Sequence, residues 1–203
     1  MKQVNKDHYR FERYSHLDRW ASYYYQLREV FKSCPKNILE VGVGDQVLKN
    51  YLQSNTEISY TSLDIDGDLK PDHIGDILKM PFHDNTFDVV CAFEVLEHLP
   101  FEDFSGALKE MKRVSKKTVL ISLPHFGPPV QFYFKIPFIK FKFSFKIPFY
   151  KKHIFNGQHY WEIGKKDSDL NKVKKLISEV FIIKKDFLPF ENQYHHFFVL
   201  ENK

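Results

Sequence analysis

The stretch Ile38-Leu-Glu-Val-Gly-Val-Gly-Asp45 joins an apolar strand to two glycines and an acid. A strand that turns through Gly42 and Gly44 into a helix can bring its backbone against a ligand, because glycine has no Cβ and tolerates positive φ. The helix start adds unpaired amides and a partial positive charge. Asp64, in Leu63-Asp-Ile65-Asp66, follows Gly42 by 22 residues at the end of the next apolar run. A carboxylate there can accept both hydroxyls of a ribose. Asp76 can accept from the exocyclic amine of an adenine, with Ile77 packing on the ring. A fourth group, Phe87-Asp-Val-Val-Cys-Ala-Phe-Glu-Val-Leu-Glu-His-Leu-Pro100, carries Phe93, Glu94 and His98. A dinucleotide fingerprint would want glycine three residues after Gly44, where Val47 stands.

The elements that must hold these residues follow from periodicity. Residues 7–33 read as helical, with a capping-box start at Ser15 and Asp18 and an apolar stripe of Leu17, Trp20, Ala21, Tyr24, Leu27 and Phe31. Strands are predicted at 37–41, 58–64, 73–77, 87–93 and 118–123, with helices after Val47 and over 104–114. Phe87 to Phe93 is a continuous apolar run, as expected of a strand buried on both faces. Alternating strands and helices predict a parallel sheet covered on both sides. A helix through Leu170 to Ile177 and two antiparallel strands, 180–187 and 195–200, end the chain.

The 203 residues are expected to form a single domain. It divides into an N-terminal helical region (1–35), a core (36–124), a Phe/Lys-rich insertion (125–166) and a C-terminal helix with a strand pair (167–203). The two cysteines, Cys34 and Cys91, exclude a disulfide scaffold and a cysteine-built zinc site. Asp64-Ile-Asp-Gly-Asp68 has the look of a calcium loop, but its twelfth position is Gly75 where a glutamate is needed. No metal site is expected. Neither a signal peptide nor a membrane-spanning run is evident, which predicts a cytoplasmic protein. The net charge is +4, yet six of the 30 basic residues and none of the 26 acidic ones lie between 126 and 152. Eight of the 21 phenylalanines lie there too, and Phe-Lys-Ile-Pro-Phe occurs at 134–138 and again at 145–149. Phe141, Phe143 and Phe145 alternate with lysines or serine, so the segment should be extended with one apolar and one basic face.

Taken in order, the motifs Glu40-Val-Gly-Val-Gly44, Asp64, Asp76-Ile77, Met80-Pro-Phe-His-Asp-Asn-Thr-Phe-Asp88 and Leu96-Glu-His-Leu99 resemble the class I S-adenosylmethionine-dependent methyltransferases of the type 11 family. The likeness covers residues 36–124. It implies a Rossmann-like, doubly wound α/β fold. The sheet would be seven-stranded and mostly parallel, with an antiparallel final strand pair and a lid insertion after strand five. It also implies S-adenosyl-L-methionine as the cofactor. Glu40 would lie near the methionine amine, Gly42 and Gly44 would admit the cofactor, and Asp64 with Ile65 would meet the ribose. Asp76 and Ile77 would face the adenine, and Phe93 and Glu94 would line the methionine end. Gln46 stands where the family often carries a third glycine.

Methyl transfer from a sulfonium requires alignment above all, and a general base only when the acceptor has a proton to lose. His98 and His125, both after strand ends, are the candidate bases. His159, Tyr160 and Trp161 fall in the insertion and are candidates to face the acceptor. A small-molecule or lipid- or sugar-linked acceptor, methylated at oxygen, is the expected substrate. For the 126–161 segment the order of expectation is substrate lid, peripheral membrane contact, dimer interface and, last, nucleic acid. Two rivals are an inactive cofactor-binding scaffold and a nicotinamide-dependent oxidoreductase.

Overall fold

The computed structural model describes residues 6–147, 149 and 151–203. A short turn at Lys6–Tyr9 leads to the single-turn helix α1 (Phe11–Tyr14) and to α2 (Leu17–Lys32). Then follow β1 (Asn37–Val41), α3 (Val47–Asn55), β2 (Ser59–Asp64), β3 (His73–Ile74), β4 (Phe87–Phe93), α4 (Phe104–Val114) and β5 (Ser115–Pro124). The insertion contributes β6 (Pro129–Ile136) and β7 (Ile139–Lys146), and the chain ends with α5 (Leu170–Val180), β8 (Phe181–Phe187) and β9 (His195–Asn202).

Seven strands make one sheet in the order β3-β2-β1-β4-β5-β9-β8. The first five pair in parallel, while β9 runs antiparallel to both β5 and β8. Side chains alternate across the sheet, so each strand feeds two cores. Leu39, Val41, Val90, Ala92 and Ile121 meet Leu108 and Met111 of α4 and Val173 and Ile177 of α5. Ile38, Val89, Cys91 and Leu120 meet Val30 of α2 and Leu48 and Leu52 of α3 on the opposite face. Helices therefore cover both faces, which is the doubly wound Rossmann-like arrangement expected from the motif order. Among the described residues, no helix is long and apolar enough to cross a membrane.

The Met80–Asp88 motif does its work as scaffolding. Arg113 of α4 donates to the carbonyls of Met80 (3.1 Å) and Phe82 (2.7 Å) and pairs with Asp84 and Glu110. Asp88 accepts from the backbone amides of Lys36 (2.8 Å) and Asn37 (3.2 Å), which fastens the start of β4 to the start of β1.

Two expectations for the N-terminus are corrected. The helical region is broken at Ser15 and His16, and no side-chain cap forms, because His16 rather than Ser15 precedes the first turn of α2. The face of α2 turned to the sheet is also a different one. Leu17 (86% exposed), Trp20 (48%), Tyr24 and Phe31 face solvent, whereas Ser22, Tyr23, Gln26, Glu29 and Val30 are buried. The buried polar groups have partners from the far end of the chain. Ser22 accepts from Asn192 (2.9 Å) and Glu29 from Lys185 (2.9 Å). Satisfied in this way, a polar face can be buried at little cost.

β6 and β7 form a separate antiparallel hairpin, with Phe132 opposite Phe143 and Phe134 opposite Phe141. The predicted alternation holds: these phenylalanines share one face, and Tyr133, Lys135, Lys140 and Lys142 share the other. The apolar face is exposed along its length, and Phe138 at the tip is fully exposed.

Truncating Ile177→Ala in the α5 core should cost about 2–5 kcal/mol. Trp20→Gln, on the exposed stripe of α2, should change stability by less than about 0.5 kcal/mol. Urea denaturation of the two variants checks the assignment of faces; similar losses would contradict it.

Candidate active site

A cavity of about 190 Å³ lies at the carboxyl ends of β1, β2 and β4. In doubly wound sheets this edge, where the strand order reverses, is where ligands bind. Val41, Gly42 and Gly44 line it from β1 and its turn, Asp64, Ile65 and Asp66 from the end of β2, and Gly75, Asp76 and Ile77 from the loop after β3. Phe93, Glu94, Val95, His98 and Leu99 close it beyond β4, and Tyr9, Tyr14 and Leu69 complete the wall. A second recess of about 420 Å³ shares Tyr9, Gly44 and Leu69 with it.

The loops are held by specific bonds. The Asp64 carboxylate accepts from the amides of Val43 and Asp66, at 2.9 Å each, and so ties the turn after β1 to the end of β2. A carboxylate has about four lone-pair sites, so capacity remains for a ligand hydroxyl. Gly42 sits at φ +81°, and a Cβ there would fall 2.4 Å from Val95 Cγ2. Glycine is therefore required both by conformation and by contact. Gln46, at the departure from the family pattern, adopts φ 63° and donates its side-chain amide to the Leu69 carbonyl at 2.7 Å. The left-handed conformation that a glycine would supply is kept, with a side chain that ties the loop to its neighbour. Asp76 accepts from the Leu78 amide at 2.9 Å.

Glu94 stands just past β4 with φ +56°. Its side chain is 12% exposed and lies 3.4 Å from His195 Nε2, while its Oε1 is buried without a hydrogen-bond partner. Burial pushes its carboxyl up to about 7. His98 donates from Nδ1 to the Gln158 carbonyl at 3.0 Å. A carbonyl only accepts, so Nδ1 carries the proton in this contact. Burial pulls its pKa down to about 4, against the carbonyls of Gln158 and Glu94, so the ring is neutral near pH 7.

The other anticipated residues are placed elsewhere. Glu40 is buried beside Tyr60, whose hydroxyl donates to it, and burial raises its carboxyl to about 8; it is not on the cavity wall. His125 lies 3.0 Å from His196, and His196 lies 2.9 Å from Asp186. The Asp186 carboxylate accepts from His196 Nε2, so His196 Nδ1 in turn accepts from His125. This chain sits under the β5–β9 pairing and lines no part of the cavity. Trp161 is 2% exposed and packs on Phe101 and Phe104, which makes it a core residue. Tyr160 is exposed and meets the Phe155 ring at a tilt, with centroids 4.6 Å apart. His159 touches His98 from behind, with ring centroids 5.2 Å apart. No residue of the β6–β7 hairpin lines the cavity.

Sequence reasoning missed Tyr9 and Tyr14. They come from the N-terminal turn and α1, and their rings meet at 4.9 Å. The only sequence signal was their aromatic type.

The sheet order, with β9 alone reversed, and a cavity at the ends of β1, β2 and β4 define a Rossmann-like fold. Residues 39–123 of the 203 match the family model described as "Methyltransferase domain". A stretch of 43 residues, 21% of this chain, is 54% identical to an uncharacterized methyltransferase of Schizosaccharomyces pombe and spans 15% of that protein's length. Among solved structures, the PH0226 protein of Pyrococcus horikoshii superposes with a TM-score of 0.57 at 16% identity, over 91% of this chain and 92% of the other. The 1,6-didemethyltoxoflavin-N1-methyltransferase of Burkholderia thailandensis, solved with its substrate and S-adenosylhomocysteine, gives 0.56 at 12% identity over 91% and 86% of the two chains.

Gly42→Ala combines a strained φ with a steric conflict and should cost a few kcal/mol, about 1–3 from the backbone alone. Adding Val95→Ala removes the conflict and should return part of the loss. Thermal melts of the single and double variants test this, and equal melting temperatures would refute the close approach.

Proposed function

We propose that this chain binds S-adenosylmethionine in the cavity at the ends of β1, β2 and β4 and methylates an oxygen of a small or lipid-linked acceptor. The observation that carries this reading is the convergence of Gly42, Asp64, Asp76 and Glu94 on one cavity. The residues present suit the cofactor. Gly42 lets the backbone approach, and the unpartnered, buried Glu94 Oε1 is an acceptor awaiting a cation or an N–H group. Asp64 and Ile65 would hold the ribose, Asp76 and Ile77 the adenine, and Phe93 and Glu94 the methionine end, with Tyr9 and Tyr14 as cover. When bound, the cofactor supplies a methyl group on a sulfonium, displaced by the acceptor's lone pair to leave a neutral thioether.

Of the two histidines anticipated as bases, the geometry favours His98, since it lines the cavity and His125 does not. Held neutral by burial, its imidazole would take up the hydroxyl proton as the new bond forms. His159, directly behind it, would fix its position.

Isothermal titration with S-adenosylhomocysteine, using NAD as control, tests the core of this reading. The first should bind and the second should not. Asp64→Ala should weaken binding at least ten-fold, losing a charged acceptor worth about 1.5–3 kcal/mol. Binding of NAD instead would favour the oxidoreductase alternative.

The hairpin bears on the acceptor. Its exposed phenylalanine face and its lysines suit the surface of an anionic bilayer, where aromatics enter the interface and lysines meet headgroups. This supports an acceptor presented at, or anchored in, a lipid surface. Lys142 pairs with Glu191, and Lys146 donates to the His125 carbonyl, so the exposed Lys135 and Lys140 are the informative charges. Flotation with vesicles containing phosphatidylserine should recover the protein at low salt. Phe138→Asp with Lys135→Glu and Lys140→Glu should abolish recovery, and binding that ignores both salt and these changes would exclude the membrane reading.

A further inference from the structure

The cavity wall has an unbalanced charge. It carries the carboxyl groups of Asp64, Asp66, Asp76 and Glu94 and no lysine or arginine. The cofactor proposed for it ends in an amino acid, whose ammonium suits such a wall and whose carboxylate does not. A carboxylate taken from water into this setting needs a cation with N–H groups to receive it.

Arg19 is placed to supply one. It stands on α2, one turn before Tyr23, whose hydroxyl donates to Asp45 in the turn after β1. Residues four apart on a helix share a side, so this bond lays the Arg19 face of α2 along the glycine turn. The guanidinium rests over the Tyr14 ring, 4.3 Å from its centroid, and Tyr14 is part of the cavity wall. Among the described residues the Arg19 side chain meets no hydrogen-bond acceptor and no carboxylate at ion-pair distance. A guanidinium stacked by its face keeps its N–H edge for a planar, two-oxygen partner. Burial works against its charge, yet Tyr14, Glu94, Tyr23 and Asp45 around it hold its pKa above the ordinary value, so the side chain stays a cation. At Glu94, burial raises the carboxyl and Arg19 is the first charge to counter that rise, as expected of neighbouring groups.

We infer, on the cofactor reading proposed above, that Arg19 is the carboxylate anchor of this cavity and reads the amino-acid end of the cofactor as a zwitterion together with Glu94. The Glu94 Oε1, buried without a partner, would accept from the ammonium. Arg19 would turn its outer N–H groups to the carboxylate by rotation about the outer bonds of its long side chain. The ligand group is neutral as a whole, so both side chains gain a partner without a net charge being buried. A nucleoside lacking the amino-acid end would leave them unanswered, and a site built for polar groups rejects ligands that lack those groups. Arg10 and Lys70, which line the neighbouring recess, are the rival cations.

The test is a double-mutant cycle between protein and ligand, read by isothermal titration of the full chain. The probes are S-adenosylhomocysteine and its decarboxylated analogue, which keeps the amine and lacks the carboxylate. The wild-type chain should bind the first at least about ten-fold more tightly, the scale of a charge-assisted hydrogen bond. Arg19→Gln should weaken S-adenosylhomocysteine by that factor, leave the analogue nearly unchanged and so make the two ligands equal. Arg19→Lys, which keeps the charge without the fork, should restore part of the difference, and Arg10→Gln and Lys70→Gln should keep it whole. Equal binding of the two ligands by the wild-type chain overturns the inference without any variant having to fold. A preference that survives in Arg19→Gln overturns it too, as does one lost in Arg10→Gln or Lys70→Gln instead. Binding of the analogue by Arg19→Gln checks that the cavity of the variant is intact. If the wild-type chain binds no S-adenosylhomocysteine, the cofactor reading falls and the anchor with it; equal binding removes the anchor and leaves the cofactor reading standing.

Discussion

The two hydrogen bonds accepted by Asp64 determine what the rest of the site can be. Parallel strands end with their loops unconnected, and the turn after β1 and the end of β2 would otherwise diverge as the sheet twists. A single carboxylate bonded to the Val43 and Asp66 amides closes that gap. It brings the glycine turn over the edge of the sheet and sets the width of the cavity mouth. Gly42 does the corresponding work on the other side, by letting the chain pass Val95 at a distance no side chain would allow. Charge and shape at this edge are thus consequences of backbone anchoring, and the remaining side chains project into a space already defined.

Around that edge the molecule separates rigid parts from exposed ones. Arg113, Glu110 and Asp88 hold the loop before β4 and the start of β1 from the far side of the sheet. The Asp186–His196–His125 chain braces the β5–β9 pairing. The hairpin departs from this body after β5, touching it through Gln131, Lys142 and Lys146 and leaving its aromatic face uncovered. The cavity and the exposed aromatic face therefore lie on different elements.

Much of this was legible in the residues. A mostly parallel, helix-covered sheet followed from alternating strands and helices, and Asp64, Asp76 and Glu94, which line the cavity, stood out because each closes a strand or a short loop, where a motif leaves a clear sequence trace. The two faces of the hairpin followed from its period of two. The buried face of α2 was not legible, because its polar residues are satisfied by Asn192 and Lys185, more than 150 residues away, and periodicity counts only apolar side chains. Trp161 read as a substrate residue since it lies beside His159 and Tyr160; the chain turns it into the core against Phe101 and Phe104.

The segment over the cavity has one further consequence. Helix α1 is a single turn with no buried residue, yet it carries Tyr14 to the cavity wall against Tyr9. An element of that size is among the first to open thermally, far below the energy needed to unfold the sheet. The mouth of the cavity can then widen under this strap while the strands stay still.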